Sequence, residues 1–172
     1  MSMESVTLVF TASQFFLSRL IRWITGGRTS HVMIEYPSAL WGNRWAAEAT
    51  VGGTRMIRAD RVNHHVVAVY ECRFNAQDAL QAISGYIGDT GFDYPGLVSL
   101  AVPKLVWRWF RKKVRNPIHN NPGMFCSELV ATMLMAAKLP GTENWIAEEI
   151  TPEDILKYCE NTPSWFNRLN IS

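Results

Sequence analysis

The chain has 172 residues and a net charge of +2; 48% of it is hydrophobic and 19% charged. That is long enough to bury a core within a single domain over 1–172, too apolar for a disordered chain, and too nearly neutral for a general attraction to nucleic acid. Three cysteines are an odd count with no Cys-x-x-Cys pair, which argues against a disulfide framework and a structural zinc site and fits a reducing compartment or a reactive thiol.

Residues 1–4 are not basic, and the apolar stretch 6–20 is interrupted by Ser, Thr and Gln, so no secretory signal is expected. No run of 18 uncharged apolar residues occurs, so no transmembrane helix is expected either. A cytoplasmic protein follows, with delivery to the cell envelope by other means as the alternative.

In chain order, residues 6–10 read as a short strand. Ser13 is placed to cap a helix running to Thr25, with Phe16, Leu17, Leu20, Ile21 and Ile24 on one face and Gly26-Gly27 as its stop. Residues 30–36 read as a strand, 37–44 as a hairpin loop, 45–50 as the returning strand and Gly52-Gly53 as a turn. The β-branched and aromatic run 66–74 is the clearest strand. Asn75 then caps a helix to about Ile87 that uses Ala79, Leu80, Ile83 and Tyr86.

Residues 88–95 read as a loop, 97–114 as helical at least in the second half, and 116–123 as a second loop. A helix over 126–139 turns Leu129, Val130, Met133, Leu134 and Ala137 inward. Thr151-Pro152-Glu153-Asp154 is a strong helix start: a capping Thr, Pro at the first helical position, then acids in the first turn. The sum is an α+β protein with a meander of antiparallel strands flanked by helices.

Two segments carry chemistry. Phe125-Cys126-Ser127-Glu128-Leu129-Val130 places a thiol at the start of an apolar helix, after a loop that cannot continue one. A thiol attacks only as a thiolate, and the positive end of a helix and a neighbouring imidazolium both lower its pKa. The N–H groups there also suit an oxyanion hole. Taken alone, Cys126 reads more readily as a small buried residue opening a core helix, and it is the pairing with His31 that favours the reactive thiol.

Ser30-His31-Val32-Met33-Ile34 supplies the imidazole. Alternation puts His31, Met33 and Glu35 on one face of the strand, and Val32, Ile34 and Tyr36 on the other. His31 is the candidate base, and alone it reads equally as a solvated strand-edge histidine.

A base needs an orienting partner, and two carboxylates compete. Glu35 shares the face of His31 but lies roughly 13 Å along the strand, too far for a direct bond. Glu48 on the returning strand falls opposite His31 if the hairpin is centred near residues 39 and 40, which makes it the preferred partner. A register slip of one residue would turn it to the other face.

These residues together resemble a known family. The apolar helix, the Ser-His-Val strand, the Glu48-Ala49 of the next strand and the late Phe-Cys-Ser-Glu-Leu-Val helix are similar to the circularly permuted papain-like amidases of the NlpC superfamily, of the YaeF/YiiX type. In that family the His strand comes first and the Cys helix last, as here. The resemblance spans about residues 8–137. It implies a papain-like fold, an antiparallel sheet or small barrel packed against helices, with Cys126 as nucleophile, His31 as base and Glu48 as the orienting residue. It implies hydrolysis of amide or peptide bonds, those of bacterial cell-wall peptides above all, by a bacterial or phage protein, with no metal and no cofactor.

The Gly91-Phe92-Asp93-Tyr94 stretch resembles a Tyr-Asp segment of the family, which makes Tyr94 either a cleft-lining residue or a packed aromatic in a turn. Ser30 and Ser127, beside base and nucleophile, are further candidate substrate contacts. Many relatives carry a signal peptide, and no such segment is recognised here.

Lys104, Arg108, Arg111, Lys112, Lys113 and Arg115 fall in a stretch without an acid, interleaved with Trp107, Trp109 and Phe110. It reads either as a solvated helix face with inward aromatics or as a peripheral contact with a membrane or anionic polymer. The second reading motivates a lipid-directed alternative: an acyltransferase, thioesterase or lipid-amide hydrolase like lecithin:retinol acyltransferase. A catalytically inactive binding module is the non-enzymatic alternative.

Cys72 and Cys159 read as core, His64 and His65 as structural, and His119 as a rival base. Trp41, Trp45 and Trp107 suit either a cleft or a core.

Overall fold

The computed structural model describes residues 5–14, 16–38, 43–50, 53–62, 65–88 and 124–171. Tyr94, the helix expected at 97–114, the basic stretch at 104–115, the loop at 116–123, His64, His119, Trp41 and Trp107 lie outside them, as does most of the loop at 88–95.

The described elements are β1 (Thr7–Ala12), α1 (Phe16–Thr25), β2 (His31–Pro37), β3 (Arg44–Thr50), β4 (Gly53–Arg58), β5 (His65–Cys72), α2 (Gln77–Ser84), α3 (Cys126–Ala136), α4 (Pro152–Asn161) and β6 (Phe166–Leu169). The fold is α+β. Six strands form one sheet in the order β4-β3-β2-β1-β5-β6, and every pairing is antiparallel.

The expected meander holds only from β1 to β4; β5 returns to the other flank of β1. That makes β1 a central strand, and all six of its residues are buried. Leu8 and Phe10 point into one apolar cluster and Val9 into another, so both faces of the sheet carry core.

The larger cluster joins Leu8, Phe10, Val32, Ile34 and Ala47 of the sheet to Ala79 and Ile83 of α2, Leu129, Val130, Met133 and Leu134 of α3, and Ile155, Leu156 and Cys159 of α4. On the opposite face Val9, Met33 and Ala46 pack with Ile57, Val62, Val66 and Val69.

Two strands were not expected. β4 begins at Gly53, inside what reads as a turn, and β6 is only four residues long. Both lie at the edges of the sheet. Helix α2 takes Ala76 rather than Asn75 as its N-cap, and α3 ends at Ala136, before Leu139. Helix α4 starts as its sequence dictates. The Asp154 N–H donates to Thr151 Oγ1 at 3.2 Å, the Thr151 N–H donates to Asp154 Oδ2 at 3.0 Å, and Pro152 occupies the first turn, where its missing N–H costs nothing.

Candidate active site

Cys126 is the first residue of α3 and His31 the first residue of β2, and the fold brings these two element starts together. The His31 ring is hydrogen-bonded to the Cys126 thiol. Its Nε2 donates to Glu48 Oε2 at 3.1 Å, so Nδ1 is the nitrogen available to the sulfur. The Glu48 side chain has no exposed surface, whereas the His31 side chain keeps 18% of its own.

The register that joins base and carboxylate is not the expected one. The ladder pairs Ile34 with Ala47, Glu35 with Ala46 and Pro37 with Arg44, two residues away from a hairpin centred near 39 and 40. A shift of two preserves the face, because side chains alternate with a period of two. Glu48 therefore reaches His31 along a diagonal rather than straight across, a span that a long side chain covers. Glu35 lies at the other end of β2 and accepts a bond from Arg44 Nε at 3.4 Å.

Charge alternates through the site. Burial alone would raise the Cys126 pKa; the His31 charge, its hydrogen bond, and the backbone N–H groups of Val32 and Ser127 bring it below the ordinary thiol value. Burial likewise works against a charged His31, but the Cys126 charge and hydrogen bond, with Glu48 behind, push it up to about 10. Glu48 is held below the usual carboxylate range, against its burial, by hydrogen bonds from His31 and Arg55. Both shifts favour the thiolate–imidazolium form of the pair, with the thiolate over the first turn of α3, where orphan N–H groups favour an anion.

Arg55 was missed in the sequence because β4 was missed. The signal was weak: Thr54, Arg55, Met56 and Ile57 do not alternate cleanly in polarity.

Two clamps flank the pair. Ser127 Oγ, beside the nucleophile, donates to Ile150 O at 2.7 Å, which ties α3 to the turn before α4. The Arg28 N–H, three residues before the base, donates to Glu153 Oε2 in the first turn of α4 at 2.7 Å, and its guanidinium bridges Glu153 and Glu160. The same short segment thus braces both elements that carry the candidate residues.

Ser30 is bonded Oγ to Oγ with Ser18 at 2.5 Å and donates its N–H to Thr11 O at 3.1 Å. Ser30 and Ser127, expected to touch substrate, are both buried and engaged in these internal bonds. Cys72 and Cys159 lie in the main core, as their surroundings in the sequence suggest. Trp45 is half-buried on β3 opposite Tyr36, and His65 is exposed at the start of β5.

Among the described residues no group of three or more His, Cys, Asp or Glu side chains is placed to hold a metal ion. Among them, too, no helix is long and apolar enough to cross a membrane. Comparison with protein-family models and with curated proteins finds no match for the chain.

Proposed function

We propose that this protein is a cysteine hydrolase that cleaves amide or peptide bonds through an acyl-thiol intermediate, on a permuted papain-like fold of the NlpC type. The observation that carries the reading is the Cys126–His31–Glu48 chain: a thiol at a helix N-terminus, hydrogen-bonded to an imidazole whose other nitrogen is held by a buried carboxylate.

The Cys126 thiolate attacks the carbonyl carbon, forming a C–S bond and a tetrahedral oxyanion. As that collapses, the C–N bond breaks and the His31 imidazolium gives its proton to the departing amine. Water then attacks the thioester with His31, now neutral, taking its proton. The acid product leaves, and thiolate and imidazolium are restored. Glu48 stays ionised throughout and fixes the ring.

The favoured substrate is an amide of a bacterial cell-wall peptide, reached from the cytoplasm or after delivery to the envelope. The test is release of new amino groups from purified cell-wall peptides, with mass spectrometry of a Cys126-linked acyl group. Turnover by the wild type and none by Cys126→Ala supports the reading; equal turnover by both sinks it.

The same acyl-thiol chemistry on lipids is the second reading. Helix α1 exposes Trp23 to 54% and has Arg19 exposed, with no acid in the helix, a composition suited to an anionic lipid surface. Activity that requires vesicles would favour it, and equal activity without them would count against it. A module with no catalysis would leave Cys126 no more reactive than Cys72.

A further inference from the structure

Glu48 has two oxygens, and two elements divide them. His31 on β2 takes Oε2 at 3.1 Å. Arg55 on β4 stands directly across the ladder from Glu48, and its Nε and Nη2 donate to Oε1 at 3.0 and 2.7 Å. A cross-strand ion pair at a sheet edge ordinarily supports only the strand pairing. Here the acceptor has no exposed surface, and its second oxygen lies on the candidate base.

We propose that Arg55 is a positioning residue of the thiol site: acting through Glu48, it fixes the carboxylate so that Oε2 faces His31 and keeps that carboxylate ionised in a buried place. The inference rests on the Cys126–His31–Glu48 reading.

The backbone beside Arg55 is itself pinned. The Gly88 N–H donates to Thr54 O at 3.0 Å, and Thr54 Oγ1 donates to Tyr86 O, so the turn after α2 holds the edge strand in place. Among the described residues the charged groups that act on Glu48 are His31 from β2 and Arg55 from β4, and Cys126 from α3 acts on His31 in turn. Thiolate, imidazolium, carboxylate and guanidinium form a line of alternating charge with only the guanidinium end well exposed, its side chain at 53%.

Removing the guanidinium takes a positive charge from beside a buried anion, so Glu48 takes up a proton at higher pH. Its hold on the imidazolium then fails from the acid side first. The Cys126 thiolate leans on that imidazolium and is protonated at higher pH as well.

The experiment is the pH profile of iodoacetamide labelling at Cys126, mapped by mass spectrometry in the full chain, beside the thermal unfolding midpoint. Arg55→Met should move the acid limb up by about one pH unit. Arg55→Lys, which keeps the charge, should recover most of that shift. In a Glu48→Gln background Arg55→Met should add nothing further. If Arg55→Met does not fold, Arg55→Gln carries the comparison.

A lower midpoint with the acid limb unmoved would overturn the assignment and leave Arg55 a strand-pairing residue. An equal shift in the Glu48→Gln background would also overturn it, since Arg55 would not then act through Glu48. A wild-type Cys126 indifferent to His31→Ala would instead overturn the thiol–imidazole pair beneath it, which is a separate result from the same data.

Discussion

His31 Nε2 lies 3.1 Å from Glu48 Oε2, and the carboxylate at the far end of that bond has no exposed surface. A buried carboxylate persists as an anion only where donors and cations surround it, and this one has His31 and Arg55. Glu48→Gln keeps the shape and removes the charge. We expect the imidazolium to weaken, the thiolate fraction of Cys126 to fall, and its iodoacetamide labelling at neutral pH to slow by about tenfold. An unchanged labelling rate would show that Glu48 plays no part. Glu48→Ala should also destabilise the fold by about 3 kcal/mol, read from urea unfolding, because it strands two partners.

The pH dependence has a sign for each group. His31 is pushed up to about 10, so its contribution to stability is complete below the ordinary histidine value of 6.5 and is lost as pH rises through about 10. Cys126 is shifted down, so its contribution is present above the ordinary thiol value of 9.0 and is lost as pH falls through the depressed value. The proposed hydrolysis should therefore follow a bell. The acid limb lies below the ordinary thiol range, and the alkaline limb falls near 10, where the leaving amine loses its proton donor. His31→Ala should remove the bell and cut the rate by about 10²–10⁴-fold. A single-limbed profile in the wild type would contradict the ion pair.

The other two thiols provide a control within the same molecule. Burial pushes the Cys72 thiol up to about 12, and burial with the nearby Cys72 drives Cys159 up further. Among the described residues no cation offsets either shift. Limited iodoacetamide at neutral pH should therefore modify Cys126 alone, with Cys72 and Cys159 reacting only after denaturation. Peptide mapping checks this, and early labelling of Cys72 would contradict it.

The brace behind the base gives a prediction remote from the chemistry. A Cβ on Gly27 would lie 2.7 Å from Glu153 Cβ and 2.9 Å from its Oε2, closer than packing allows. Gly27→Ala must then push the 26–30 turn away from α4. We expect a loss of about 1–3 kcal/mol in stability. Because His31 follows this turn directly, Cys126 labelling should slow in the protein that remains folded. Normal labelling at lowered stability would confine the brace to a structural role.

The fold was legible where local physics decides. The 3.6-residue apolar period of α3, the Thr-Pro-Glu-Asp start of α4 and the β-branched run of β5 each dictate their element without help from the rest of the chain. The edge strands were not legible. β4 starts on a glycine and β6 follows a helix with only four residues, so each exists because a neighbouring strand offers it a ladder.

The site divides along the same line. Local pattern was enough to single out the candidate groups: a thiol at a helix start, an imidazole at a strand start, and a carboxylate whose place in the alternation puts it on the face of that imidazole. Face is a parity, and parity survives the two-residue shift between the expected register and the real one. The rest came from contacts between distant elements. They brought the first residue of α3 to the first residue of β2, supplied Val32 N–H to the thiolate, set Arg55 against Glu48, and buried Ser30 and Ser127 in internal bonds. Those outcomes depend on which strands lie side by side and which helix covers them, contacts between residues far apart in the chain that local periodicity does not encode.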